Sequence, residues 1–279
     1  AITLSSISAS GAATLNLGTG TGSGNVAITG VTIGGAFSLT GDQYSDIVLN
    51  NVSASASLTV NVGGSGSITA SSLTTHGTLS LTKALGSGEA AVLQEISAST
   101  VSITLGAGSG HVSATTIDAG AFTFDASSST EGGSAHNLGI VSASGTTTIS
   151  LGSNADLTST AITVASAGLT ITKGTGSSDI TIATTVTADG LLNINGNGSG
   201  FITLSSVGTD GGFTFNGEGM GTGGEYFSAQ MITSTSGDVT FTYGTGGNAF
   251  VDVSAINTVS AFTLTGASLT TGNLSLIHI

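Results

Sequence analysis

The sequence predicts an all-β fold, a parallel β-solenoid (β-helix) of about twelve coils of 21–25 residues with three short sides per coil. Three observations predict it. A unit like Ile2-Thr3-Leu4-Ser5-Ser6-Ile7-Ser8-Ala9-Ser10 recurs, with starts at Ile2, Val26, Ile47, Ile68, Ala91, Val112, His136, Leu157, Thr181, Ile202, Phe227 and Val251. Inside each unit apolar and polar residues alternate, the period-2 pattern of strands with one buried face. The joints are rich in glycine, of which the chain has 45, and there is no proline.

The first side carries inward pairs such as Ile2/Leu4, Val26/Ile28, Ile47/Leu49 and Val251/Val253. After a two-residue step the second side opens on the most faithful column of the chain. It reads Ile7, Val31, Val52, Leu73, Ile96, Ile117, Val141, Ile162, Val186, Val207, Ile232 and Ile256. Two residues further on the inward position is usually small, as at Ala9, Ala54, Ala98, Ala119, Ala143 and Ala188. The third side is a pair separated by one residue, running from Leu15/Leu17 and Phe37/Leu39 through Ile103/Leu105 and Ile149/Leu151 to Phe262/Leu264. Length varies between sides and not within them. Corners face solvent and absorb insertions, whereas a one-residue slip inside a side would turn its buried face outward. A single coil buries too little to offset the entropy of ordering it, so stability must come from stacking on neighbours.

Composition narrows the function. Charged residues make up 6% of the chain, against about a quarter in ordinary globular proteins. At 38% hydrophobic it is too apolar for a disordered Gly/Ser linker. Lys83 and Lys173 stand alone against 15 acidic residues, which leaves no basic stripe for nucleic acid and disfavours anionic membranes. No apolar run approaches the roughly 18 residues of a membrane-crossing helix, so no membrane insertion is expected. Without cysteine there are no disulfides and no thiolate metal sites.

The Ile-Ser-Ala-Ser and Leu-x-Leu-Gly units, the Gly-rich corners and the scarcity of basic residues extend over residues 1–273. They resemble the β-strand-repeat regions of giant bacterial surface proteins, including haemagglutinin-type adhesins and autotransporter passengers. The resemblance implies export, display at the cell surface or outside the cell, and a stalk, surface-layer or adhesive role. Cell-surface components, extracellular-matrix components or glycans would then be the partners. Neither end carries a capping element, so residues 1–273 are expected to be one continuous solenoid cut from a longer array that continues end to end. The final Leu274-Ser275-Leu276-Ile277-His278-Ile279 can be written back as CTG TCT CTT ATA CAC ATC, which looks like the mosaic-end adapter of transposase-based sequencing libraries. Residues 274–279 are therefore expected to be a translated artefact, and the chain a fragment of metagenomic type.

An enzyme is not expected. The acids are scattered, Asp118 and Asp125 read as solvated corner residues, and His76, His111 and His136 read as isolated corner histidines. Calcium is the one cofactor candidate, through the corner Gly41-Asp42-Gln43-Tyr44-Ser45-Asp46 and the similar corners of Asp156 and Asp179. The ligand-facing candidate is the outward position between the third-side pairs, where Thr59, Thr104, Thr123, Thr170, Thr214, Thr240 and Thr263 would stack into a ladder. Such a ladder would suit carbohydrate or ice. Thr is also an ordinary choice for any exposed pleat, and the flanking column reads as irregular: Gly18, Thr40, Asn61, Thr82, Gly106 and Asp125. Two long corners, 125–137 and 216–226, with Tyr226, are candidates for localised contacts. A polysaccharide-active enzyme ranks third.

Overall fold

The computed structural model describes residues 2–18, 25–41, 46–85, 89–108, 110–129, 134–243 and 249–266. Asp42 to Ser45 of the calcium candidate and the proposed artefact at 274–279 lie outside the described residues. Among the described residues there is no helix, and every strand pairing is parallel. The chain forms a β-solenoid of about twelve coils.

The second-side column runs without interruption from Ile7 to Ile256, each residue paired in register with the next of those named above. From Val31 to Ile256 its members are at most 2% exposed. At the strand spacing of about 4.8 Å the stack is on the order of 50 to 55 Å long.

Why the chain turns where it does follows from its corners. Between the first and second sides, Gly30 and Asn51 occupy equivalent places in adjacent coils with φ of 77° and 56°. Glycine and asparagine are the residues that tolerate this left-handed region. Between the second and third sides the coils approach so closely that a Cβ at Gly77 would lie 1.7 Å from the Ala56 carbonyl oxygen. The same corner is closed from inside by hydroxyls at the small inward position. Thr75 Oγ1 donates to the Ala56 carbonyl at 2.9 Å and Thr209 Oγ1 to the Gly190 carbonyl at 2.7 Å. Each hydroxyl gives a corner carbonyl a hydrogen-bond donor.

The register corrects three of the third-side pairs. Ala13 and Leu15 pair with Phe37 and Leu39, so the first coil uses Ala13/Leu15 and not Leu15/Leu17. Val101/Ile103 replaces Ile103/Leu105, and Thr147/Ile149 replaces Ile149/Leu151. Each error is a slip of two residues, which leaves the buried face unchanged. The eighth-to-ninth coil step carries a different error. Leu157 pairs with Ile180, not Thr181, because the corner before Val186 holds one residue more than its neighbours.

His136 is also corrected. It is an inward first-side residue, 1% exposed, and not a surface corner histidine. Its side chain fills the place that Leu157 takes in the next coil. The two lysines are buried as well, at 4% exposure for Lys83 and 0% for Lys173. Lys83 sits in a third inward place of the third side, between Val62 and Leu105. Burial pushes its amine below the ordinary value, with Asp46 opposing that shift. Lys173 Nζ donates to the backbone carbonyls of Asn197 at 2.9 Å and Ser199 at 2.5 Å, holding the Gly-rich corner of the next coil. Both lysine side chains lie inside the solenoid, so the solvent-facing side-chain charge is almost wholly negative.

Candidate ligand-facing surface

With the register fixed, the third side presents two outward columns. The first reads Thr14, Ser38, Thr59, Ser80, Ser102, Thr123, Thr148, Thr170, Asn193, Thr214, Thr240 and Thr263. The second reads Asn16, Thr40, Asn61, Thr82, Thr104, Asp125, Ser150, Thr172, Asn195, Asn216, Thr242 and Thr265. Six of the seven predicted threonines therefore share one column, and Thr104 belongs to the other, between Thr82 and Asp125. Gly18 and Gly106 lie in neither column. The irregular flank expected from the sequence is replaced by an unbroken row of hydroxyls, amides and a single carboxylate.

Most of these side chains are partly exposed, as expected for a flat stack in which each residue is covered above and below by its equivalents. Along a column the spacing is the strand separation, about 4.8 Å, and between columns it is two residues of strand, roughly 6.6 Å. Asn195 Nδ2 lies 3.4 Å from Thr172 Oγ1, so neighbouring coils touch through side chains here. Asp125 accepts from the Ser127 amide at 3.0 Å and hydroxyl at 2.6 Å, which fixes its carboxylate to its own turn.

Asp118 and Asp125 are not brought together. Asp118 is an exposed residue of the second side, between Ser97 and Ser142 in its column. It lines two shallow grooves of about 190 and 230 Å³ on that side, the first shared with Thr74 and the second with Ser144.

The corner carboxylates have a structural use. Asp46 accepts from the Ser67 amide at 3.1 Å and hydroxyl at 2.8 Å. Asp156 accepts from the Asp179 amide, and Asp179 from the Phe201 amide, both at 2.8 Å. Each carboxylate thus caps a backbone N–H of the following coil, one step up the stack. Among the described residues no group of three or more His, Asp or Glu side chains converges as a metal site would need.

Sequence reasoning missed one feature of this corner. Phe201, whose amide binds Asp179 of the coil before, is continued in register by Tyr226 and Phe250, so aromatic residues follow one another up the stack. Phe201 is 55% exposed. The Phe201 and Tyr226 ring centroids are 5.8 Å apart, and Tyr226 Oη donates to Asp252 Oδ2 at 2.8 Å. Burial and the Asp252 carboxylate push the Tyr226 hydroxyl above its ordinary value. The sequence points to Tyr226, and the register places its neighbours. Comparison with protein-family models, with curated proteins and with solved structures gives no match for the chain.

Proposed function

We propose that the chain is a structural or adhesive repeat region of a large exported bacterial surface protein, acting at the cell surface or outside the cell as a stalk, surface-layer component or adhesin. The observation that carries this reading is the continuous second-side column from Ile7 to Ile256. A stack with one repeated cross-section is stabilised by nearest neighbours and lengthens without redesign, which suits reach and display. Further repeats of the parent chain would continue it end to end, and surface or matrix components or glycans would meet its sides. Antibody raised against the purified chain is expected to label intact cells that make the parent protein. Labelling only after permeabilisation would overturn the surface role.

A second reading is favoured by the two complete columns of the third side: a flat binding face for ice or an ordered carbohydrate. Its hydroxyls and methyls repeat in both directions, and Asp125 is the single charge among them. If the face binds ice, the chain produces thermal hysteresis and faceted crystals, and Thr170→Tyr, which raises a bulky ring from the plane, abolishes both. Hysteresis no larger than that of serum albumin at equal concentration would discard ice.

A further inference from the structure

We infer that the aromatic corner built on Phe201 and Tyr226 is a stacking site for a neutral glycan. The described phenylalanines of the solenoid's middle coils are interior: Phe37, Phe122, Phe124, Phe213, Phe215, Phe227 and Phe241 are at most 1% exposed. Phe201 departs from them at 55%. A phenyl ring held in water loses apolar burial that an inward place would give it, so its exposure on a rigid strand leaves a face available to a ligand.

The surroundings suit a sugar. Two residues after each corner aromatic, the same strand presents an outward polar side chain, Thr203 beside Phe201 and Ser228 beside Tyr226. Asp252 lies next in that row and holds the Tyr226 hydroxyl, fixing the second ring. Asp179 adjoins Phe201 in the coil before it. An aromatic surface flanked by hydroxyl and carboxylate groups matches the two faces of a pyranose, whose C–H groups lie against a ring while its hydroxyls donate to oxygen acceptors at the edge.

Charge selects among glycans and against other stacking ligands. Nucleobases stack on aromatic rings, but nucleic acid needs cations to meet its phosphates. Both lysines are buried, and this corner carries Asp179 and Asp252. The same field repels uronic-acid polymers. An apolar peptide would be expected to add to a sheet edge or enter a groove, and here the strands are paired on both sides within the stack. A neutral hexose or pentose chain laid along the axis meets the rings and acceptors without the repulsion that an anionic ligand would suffer here.

The inference deepens the adhesive reading and rests on it for the ligand class, yet a solenoid lacking this site would still serve as a shaft. Cellohexaose, xylohexaose and laminarihexaose, titrated calorimetrically into the intact chain, test it, with trigalacturonate and a proline-rich decapeptide as controls. At least one neutral hexasaccharide is expected to bind. Phe201→Ala should weaken that binding tenfold or more and Asp252→Asn several-fold, while Leu191→Ala, at an exposed residue outside both the corner and the third-side columns, leaves it unchanged. Phe201→Ala removes an exposed ring, so an unchanged melting temperature and circular-dichroism spectrum would show that the loss is local. No binding of any neutral hexasaccharide, equal binding by Phe201→Ala, or preference for trigalacturonate or the peptide would each overturn the site. None of these results bears on surface labelling of cells, which tests the shaft separately.

Discussion

Phe215→Ala should destabilise the final coils by about 3 to 5 kcal/mol, the upper range for deletion of a large core side chain. Phe215 is fully buried, with its ring centroid 4.8 Å from Phe227, 5.3 Å from Tyr243 and 6.0 Å from Phe241. These rings belong to a cluster that also holds Phe213 and reaches Phe262. The cavity left behind cannot readily collapse. The backbone at Phe215 is paired on one side with Ile194 and on the other with Phe241, so the walls are held at the strand spacing. Loss of aromatic contact adds about 0.5 to 1.5 kcal/mol per well-formed pair. Because a solenoid is stabilised by nearest neighbours, the loss should be local. Hydrogen exchange is expected to accelerate in strands 192–265, while strands 26–164 keep their protection. Uniform acceleration along the chain, or none, would contradict a stack with nearest-neighbour coupling.

The parts of this fold that were legible in the sequence are those that a slip would have damaged. The second-side column was legible in every coil because each member is Ile, Val or Leu followed at once by a polar residue or glycine. A one-residue slip at Ile162, for example, would bury Thr163 in its place. The third side was harder because it has room for three inward residues. In Val101-Ser102-Ile103-Thr104-Leu105 a shift of two residues keeps the same face buried, so alternation cannot choose between Val101/Ile103 and Ile103/Leu105. Only the pairing with Leu79 and Leu81 decides it. That ambiguity hid the second outward column, since a two-residue error put Gly18 and Gly106 where Asn16 and Thr104 belong. The aromatic corner was hidden for a related reason. Phe201, Tyr226 and Phe250 are 24 or 25 residues apart in sequence, and corner lengths vary enough that stacking them needs the register. His136 stands at a unit start in phase with Val112 and Leu157, yet its imidazole reads as a surface group because polarity alone does not show which face a side chain occupies.

The burial of His136 makes stability depend on pH, and this is the second large effect. Its Nδ1 accepts from the Val112 amide at 3.3 Å, so the neutral ring carries its proton on Nε2, which has no hydrogen-bond partner. Phe124 stands edge-on to the ring with centroids 5.0 Å apart and offers no acceptor. Protonation would place a charge in this apolar interior, with His111 adding like-charge repulsion. Burial first, and His111 second, hold the imidazole at about 4, below its ordinary 6.5. The folded value is the lower one, so the unfolded chain binds the proton more readily. Stability from this site is fully present above pH 6.5, falls as the pH drops towards 4, and is lost below that. A difference of about 2.5 units corresponds to about 3 kcal/mol. The Asp238 carboxyl lies below its ordinary range through bonds from the Ser260 hydroxyl and the Ala261 amide, and its contribution is lost only towards the acid end of this window or beyond it. Denaturant midpoints measured between pH 7.5 and 4 should therefore fall steeply in the native chain. His136→Leu should remove about one proton's worth of that slope, because leucine supports the same layer in the next coil at Leu157. At pH 7.5 the variant loses the acceptor for the Val112 amide and sheds the unpaired Nε2 proton, two changes of opposite sign, so its advantage should appear only on acidification. An unchanged slope in His136→Leu would place the acid sensitivity in the carboxylates instead.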